Sequence, residues 1–347
     1  SGEPRFSPDG KRLAFTRKDG PASAPGGHPA GATGKPQLFV MPLDGGEPER
    51  LTSLPLGVFD PTWLPDGSGI VFGAKVIKGH WTPEATAAEL ERREQDPVKA
   101  HVTEDRFYRH WDTWLTTGEV PHLFLLDLKS RTLRDLSPES AAWFDWMEPA
   151  GQYDIAPDGK EIVFAGMTYD PAKREQRAAI WQVSLAGGPV TCLTPDHPAD
   201  DHWPRYSPDG KHILYGMQHD RYFYADRVQL MACDRASKKH APWCESWRLS
   251  PAHWEFAEDG TLLLEAESEG RVALFAYQGT GGGEPTRIVR GGCAASVAPA
   301  RGGRVFFTLQ SMVAAPEVHA CAADGSGLAR LTRFTDEVAA RFATGEV

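Results

Sequence analysis

The chain has 347 residues, of which 41% are hydrophobic, and it carries a formal net charge of -10 at pH 7. This acidic balance argues against nucleic acid and against an anionic membrane surface as partners. No run of about 18 consecutive apolar residues occurs, so the sequence predicts no membrane-spanning helix.

One short phrase, a Pro-Asp-Gly turn followed at once by a β-type run, recurs along the chain. Copies begin at Phe6, Leu64, Ala156 and Ser207, and a copy without the proline begins at Ala257. Proline presets the first corner of a tight turn, aspartate bonds nearby backbone, and glycine takes a positive φ. Each copy therefore predicts a hairpin between two antiparallel strands, and we assign its aspartate no catalytic role.

A second signal follows in each repeat: an apolar strand, a glycine turn and a short run that ends in Leu-Thr, as in 37–52. The two signals together give four strands per repeat, which is the size of a β-propeller blade. The sequence thus predicts an all-β propeller of four-stranded antiparallel blades. Six blades are visible, and a seventh stays open; we place the six at about 4–52, 59–137, 143–194, 202–250, 252–290 and 293–332.

An insertion of about 77–120 interrupts the strands of blade two. Thr82 as an N-cap, Pro83 in the first turn and the helix formers that follow predict a helix. Next comes a segment rich in aromatic, cationic and hydrogen-bonding groups. Loops that depart from a repeat are a common place for function, so we take as substrate-binding candidates Arg109, His110, Trp111, Asp112 and Trp114. The alternative is that these residues only satisfy polar groups beneath a long loop.

The five cysteines do not have the spacing of a zinc site, and no phosphate-binding glycine loop or dinucleotide fingerprint occurs. We therefore expect no metal and no cofactor. Cys233 and Cys244 fall on predicted neighbouring strands of blade four, where they form either a cross-strand disulfide or two ordinary core thiols. A disulfide would favour the periplasm or secretion, which is our expectation without excluding the cytoplasm.

The sequence also lacks the Gly-x-Ser-x-Gly nucleophile elbow of α/β-hydrolases. The residues nevertheless resemble a hydrolase family in another way. The Ser-Pro-Asp-Gly-Lys turns, the Leu-Thr endings and the segment Arg109-His-Trp-Asp-Thr-Trp114 before a His-Leu-Phe strand look like the N-terminal propeller of the prolyl oligopeptidase (S9) family of serine peptidases. The resemblance covers essentially the whole chain and is strongest to the bacterial dipeptidyl peptidase 5 and acylaminoacyl-peptidase branch.

This resemblance implies a propeller at 1–332 and a segment at 333–347 that leads into a C-terminal α/β-hydrolase domain with a Ser-Asp-His triad. The propeller would then admit short peptides and position them, and this chain alone would be inactive. A dipeptidyl peptidase must also bind a free α-amino group, for which a nearby carboxylate is the natural partner. Our candidates are Glu148 and Glu245. The alternative from another class is a stand-alone, TolB-like propeller that binds a partner protein.

Overall fold

A computed structural model describes residues 2–18, 34–100, 102, 108–110, 113–140, 143–144, 150–170, 175–223, 225–279 and 283–342. The chain divides into two compact units, 1–195 and 196–347. Each unit holds three antiparallel sheets of four or five strands, and the first unit also holds a two-stranded hairpin. The predicted fold is confirmed: the protein is an all-β propeller with six blades.

The first unit contains blades one to three. Blade one consists of β1 (Gly2–Phe6), β2 (Arg12–Arg17), β3 (Gln37–Pro42) and β4 (Glu49–Arg50). Blade two consists of β5 (Val58–Trp63), β6 (Gly69–Ile77), β9 (Glu119–Asp127) and β10 (Leu133–Asp135); between β6 and β9 lie helix α1 (Pro83–Gln95) and a hairpin of β7 (Arg109–His110) and β8 (Thr113–Trp114). Blade three consists of β11 (Trp143–Phe144), β12 (Tyr153–Ile155), β13 (Glu161–Asp170), β14 (Glu175–Ser184) and β15 (Thr191–Cys192), with β11 and β12 both paired to β13.

The second unit contains blades four to six. Blade four consists of β16 (Asp201–Tyr206), β17 (His212–Met217), β18 (Gln229–Asp234) and β19 (His240–Pro242). Blade five consists of β20 (Pro251–Phe256), β21 (Leu262–Ser268), β22 (Arg271–Tyr277) and β23 (Thr286–Arg287). Blade six consists of β24 (Cys293–Ala300), β25 (Arg304–Ser311), β26 (Ala314–Ala322) and β27 (Ala329–Arg330), and the short helix α2 (Asp336–Ala339) follows it. Of the helices in the described ranges, none has the length and apolar character needed to cross a membrane.

The Pro-Asp-Gly turns join the first and second strands of the blades, as predicted. In blade one, Asp9 accepts hydrogen bonds from the Ser7 hydroxyl at 2.5 Å and from the Lys11 backbone at 3.0 Å, and Gly10 takes a φ of 69°. The same contacts recur around Asp209 in blade four, where they hold the pKa of the carboxyl at about 2. These aspartates are therefore committed to the turn.

The Leu-Thr endings have a structural cause of their own. The hydroxyls of Thr52, Thr194 and Thr332, the first two of them buried, each accept a hydrogen bond, at 2.9 Å, from a backbone N–H of the neighbouring strand in the same blade. The fourth strands are only two or three residues long, so the side chain continues the backbone pairing where the strand has ended. This explains why the same residue type recurs at the end of three blades.

Neighbouring blades of a unit pack face to face. One apolar cluster joins blades one and two, with Leu38, Trp63 and Phe72 among its buried members. Corresponding clusters lie between blades two and three, four and five, and five and six. Each sheet is thus buried by the next one rather than by helices.

The two alternatives for Cys233 and Cys244 are resolved in favour of free thiols. All five cysteines are free. Cys233 pairs with His240 across β18 and β19, whereas Cys244 lies beyond the end of β19 and packs in the cluster that holds Trp254 and Tyr277. Burial raises the pKa of the Cys244 thiol to about 12. The disulfide that would have supported an oxidising compartment is absent, and the localisation stays a prediction.

We predict that Thr194→Val destabilises the protein by about 1–3 kcal/mol, because the substitution keeps the shape of the side chain but leaves the buried N–H of Ile180 without its acceptor. Urea unfolding measures the free energy of unfolding. Thr194→Ser keeps the hydroxyl and is the matched control. A valine variant as stable as the serine variant would show that the side chain does not extend the blade.

Candidate functional site

Helix α1 is fixed on the end of β6. Thr82 caps its first turn, since the side-chain oxygen accepts a hydrogen bond from the backbone N–H of Ala85 at 3.1 Å. Thr86 is fully buried, and its hydroxyl accepts from the Ile77 N–H at 3.0 Å and donates to the His80 carbonyl at 2.8 Å. The strand and the helix therefore share one hydrogen-bonded joint.

Glu89 is the electrostatic centre of the insertion. Its buried carboxylate forms ion pairs with Arg92 at 2.8 Å and with Arg93 at 2.6 Å, and His80 lies 3.7 Å away. Hydrogen bonds from Arg92 and Arg93 lower the pKa of Glu89 to about 2. Arg93 also donates to the carbonyl of Thr117 at 2.5 Å. The helix is thereby tied to the chain that leaves the hairpin.

The hairpin carries an exposed patch of two aromatic rings and a cation, which we call the hairpin patch: Tyr108, Arg109 and Trp114. Arg109 pairs with Trp114 across β7 and β8, and its guanidinium lies 5.7 Å from the centre of the indole. The ring of Tyr108 lies 5.9 Å from that of Trp114, and more than two-fifths of each aromatic side chain is exposed. An exposed face of this kind can stack on apolar or aromatic groups and attract a carboxylate.

The structure describes some of the site residues predicted from the sequence and not others. The structure brings Arg109 and Trp114 together, and it pairs the backbone of His110 with that of Thr113. Trp111, Asp112 and Glu148 lie outside the described residues, so their roles stay predictions. Glu245 is exposed and belongs to the second unit, after β19. Tyr108 lies within the segment rich in aromatic and cationic groups but was not among the predicted candidates.

A buried histidine lies where the insertion leaves blade two. His122 is wholly buried in β9, and its Nδ1 lies 2.7 Å from Asp135 Oδ2. The ring of Trp81, which precedes α1, stacks on it with the centroids 5.6 Å apart and an angle of 10° between the planes. This stack anchors the start of the insertion to the third strand of the blade.

Charged groups also join the first strands of neighbouring blades in the first unit. Asp60 is buried at a β-bulge of β5 with a φ of 47°. Its carboxylate bonds the Arg5 guanidinium of blade one at 3.1 Å and accepts from the Gly151 N–H of blade three at 2.7 Å. The hydroxyl of Tyr153 donates to the Asp60 carbonyl at 2.5 Å, and burial raises the pKa of that phenol. One residue of blade two therefore holds both neighbours.

The second unit has a corresponding network. Arg205 of blade four bonds Glu255 of blade five at 3.0 Å, and His253 lies 3.3 Å from the same carboxylate oxygen. His253 also lies 3.7 Å from Glu265, which accepts from the Val297 N–H of blade six at 2.6 Å. Burial alone would lower the pKa of His253, but Glu255 and Glu265 outweigh it and raise the pKa to about 9. Burial would likewise raise the pKa of Glu255, but Arg205 and His253 outweigh it and lower the pKa to about 2.

In the part of the chain that the structure describes, no three His, Cys, Asp or Glu side chains group together as metal ligands. What the insertion offers is an exposed surface of cationic and aromatic groups on a braced support. The buried networks act within the scaffold, where they connect one blade to the next.

We predict that Glu89→Gln loosens the insertion while the blades stay folded, because the substitution removes the charge that Arg92 and Arg93 share. Limited proteolysis should then cut within 78–118 at least about fivefold faster, with little change in Tm. Glu94→Gln on the same helix is the control and should be cut at the wild-type rate. Equal cleavage of both variants would remove Glu89 from this role.

We also predict that His253→Gln destabilises the protein most at low pH. The folded pKa of His253 lies above its usual 6.5, so its contribution is complete below about pH 6.5 and is lost as the pH rises through about 9. Thermal melts should show a Tm difference of roughly 3 °C or more from wild type at pH 6, and a smaller one at pH 9.5. A difference that grows with pH would contradict the assigned charge.

No family model matches the sequence of this chain. An uncharacterized peptidase of Bacillus subtilis, YuxL, is 32% identical over 166 residues, which are 48% of this chain and 22% of that protein. Dipeptidyl-peptidase 5 of Porphyromonas endodontalis is 28% identical over 231 residues, which are 63% of this chain and 30% of that protein. The matched part thus spans about a fifth to a third of the length of these relatives.

Solved structures with the same fold include the acylaminoacyl peptidase of Pyrococcus horikoshii, with a TM-score of 0.68, 14% identity and coverage of 99% of this chain and 46% of that one. The propeller domain of the Trilobed protease of Pyrococcus furiosus has a TM-score of 0.63 at 13% identity and covers 96% of this chain and 84% of that one. TolB of Acinetobacter baumannii has a TM-score of 0.53 at 17% identity, with coverage of 91% and 62%. The six blades and the homology to dipeptidyl-peptidase 5 confirm the resemblance: the chain matches the propeller domain of the S9 peptidase family.

Proposed function

We propose that this chain is the gating and substrate-positioning propeller of an S9-type serine exopeptidase that releases dipeptides or acylated amino acids from short peptides. The observation that carries the proposal is the hairpin patch. It is an exposed aromatic and cationic surface, and it is held by a helix and a buried Glu89 network that the four strands of a blade do not require. The peptidase relatives support the proposal.

The hairpin patch suits a peptide in two ways. The indole of Trp114 and the ring of Tyr108 offer flat apolar area to side chains. Arg109, held over the indole, offers a cation to a carboxylate or a backbone carbonyl. Trp111, Asp112 and His110 are proposed to extend the same surface. Glu148 or Glu245 is proposed to bind the α-amino group of the peptide.

The proposal assigns the catalytic triad to a C-terminal α/β-hydrolase domain of the same protein. The segment after blade six supports this assignment by its contacts. The buried carboxylate of Glu317 accepts hydrogen bonds from the Thr332 hydroxyl, and from the backbone and hydroxyl of Thr335 at 2.9 and 2.7 Å. Arg330 lies 3.1 Å from the same carboxylate and also pairs with Asp336. These bonds, the Thr332 hydroxyl first among them, lower the pKa of Glu317 to about 2.

The same segment exposes large apolar side chains. Phe334 is 83% exposed, and Leu331, Val338 and Phe342 are also exposed. Exposed apolar residues on an anchored segment favour contact with another protein surface. We propose that this surface is the hydrolase domain, and that Glu317 fixes the direction in which the chain approaches it.

We predict that the purified 347-residue chain does not hydrolyse dipeptidyl or acyl-aminoacyl chromogenic substrates, because it has no nucleophile elbow. Turnover that a serine-directed inhibitor abolishes would contradict this.

In the complete enzyme, Trp114→Ala should lower kcat/KM for short peptides by about tenfold and leave a small ester substrate unaffected. Tyr222→Ala, which changes an exposed aromatic residue of blade four, is the control.

A stand-alone, TolB-like propeller that binds a partner protein is the alternative function. The lower TM-score to TolB than to the acylaminoacyl peptidase favours the peptidase proposal. Intact mass measurement of the native gene product distinguishes the two. A product that carries a hydrolase domain supports the peptidase proposal, and a product without one supports the alternative.

A further inference from the structure

A cavity of about 710 Å³ opens in the second unit between the first turns of blades four and five. Asp209 and His212 line it on the side of blade four, and Phe256, Glu258 and Asp259 line it on the side of blade five. This volume lies within the range of small-molecule sites, about 300–1,000 Å³. The hairpin patch belongs to the first unit, so the cavity is a different site.

The corresponding position between blades one and two is occupied by an arginine side chain of the protein itself. The run Pro4-Arg-Phe-Ser-Pro-Asp-Gly-Lys-Arg12 of blade one matches Pro204-Arg-Tyr-Ser-Pro-Asp-Gly-Lys-His212 of blade four, so Arg12 corresponds to His212. The guanidinium of Arg12 lies 4.6 Å from the centre of the Trp63 ring in blade two. It also donates to the Gly67 carbonyl in the turn of that blade, at 3.3 Å. An aromatic face and a turn carbonyl thus bind a guanidinium there.

Blade five provides the matching groups for a cation that blade four does not supply. Counted along the repeat, Trp63 corresponds to Phe256, and Gly67 corresponds to Gly260. Both Phe256 and Gly260 line the cavity. His212 has a shorter side chain than arginine, and its ring packs against Trp243 with the centroids 5.2 Å apart. Its Nε2 lies 4.0 Å from Asp234 Oδ2.

The charges around the cavity favour a cation. The carboxylates of Asp209, Glu258 and Asp259 line it. Asp209 and Asp259 also bond within their own turns. Cations near the carboxylates include Lys211, 3.3 Å from Asp209, and Arg301, 3.9 Å from Glu258, both in exposed pairs. Exposed ion pairs of this kind are weak, so Glu258 is the carboxylate that we expect to attract a further positive group.

We propose that the cavity binds a guanidinium group, seated over Phe256 beside the Gly260 turn as Arg12 is seated over Trp63. The group comes either from free arginine or from an arginine side chain of a peptide. This site does not depend on the proposed peptidase function. It extends the binding capacity of the propeller to a second ligand.

Calorimetric titration of the 347-residue chain tests the proposal, with L-arginine and with an N-acetylated, C-amidated Ala-Arg-Ala peptide as probes. Saturable binding of at least one probe is expected, with at least about fivefold weaker binding when citrulline replaces arginine, since citrulline has the shape without the charge. Binding of both probes identifies the side chain as the ligand. Binding of L-arginine alone identifies the free amino acid.

Two variants locate the site. His212→Arg supplies the guanidinium from the chain itself, as blade one does, and should abolish binding and raise Tm. Glu258→Gln should weaken binding by about fivefold, whereas Glu267→Gln, an exposed carboxylate on β21 that does not line the cavity, should leave it unchanged. Circular dichroism melts check that each variant is folded.

Any of the following results would overturn the proposal: no binding of either arginine probe, equal binding of the citrulline analogues, or equal weakening by Glu258→Gln and Glu267→Gln. Undiminished binding to a folded His212→Arg variant would also overturn it. Should that variant fail to fold, the glutamine pair still decides. A loss of peptidase function in the complete enzyme would not by itself bear on this site.

Discussion

The blades of each unit depend on carboxylates that are buried at one blade and bonded to the chain of the next. Asp60 binds an arginine of blade one and a backbone N–H of blade three, and Glu265 binds a backbone N–H of blade six from its position in blade five. An apolar interface between two sheets permits sliding, because burial is roughly proportional to area and has no direction. A charge-assisted hydrogen bond to one N–H sets a single register. These contacts therefore fix the position of one blade relative to its neighbour.

The same constraint separates scaffold from surface. Asp60 and Glu265, the carboxylates that bond between blades, are buried, so we expect a change in either of them to alter stability before it alters binding. The insertion of blade two is built differently, since Glu89 and its arginines brace a hairpin whose aromatic rings remain exposed. The helix stabilises the position of the hairpin without covering it. This division lets one blade carry an exposed aromatic surface while its four strands keep the packing between blades.

The sequence predicted most of the fold because short-range interactions determine the repeated turns and strand endings. Each Pro-Asp-Gly turn forms from residues within about four positions, and the Leu-Thr endings mark the last strand of a blade. The inter-blade contacts were not predictable in this way, since Arg5 and Asp60 lie 55 positions apart and the turn motif that follows Arg5 contains nothing that points to Asp60. For the candidate site, Arg109 and Trp114 were predicted from their residue types, and the structure places them side by side, while their role in binding stays a prediction. Tyr108 was missed because its contact depends on the pairing of β7 with β8, and Glu245, although described, gains no role from its exposed position.

The repeats of one chain can be compared with each other, and a difference between two copies shows where a contact made in one pair of blades is missing from another pair. The runs 4–12 of blade one and 204–212 of blade four have identical or closely similar residues at their first eight positions. They differ at the ninth, where blade one has Arg12 and blade four has His212. Blade five has an aromatic residue, Phe256, and a glycine turn in the places of Trp63 and Gly67, and it has the carboxylate of Glu258 where blade two has a proline. An aromatic face and a carboxylate that meet a histidine, where the corresponding pair of blades has an arginine, are the arrangement expected of a site that takes the cation from outside.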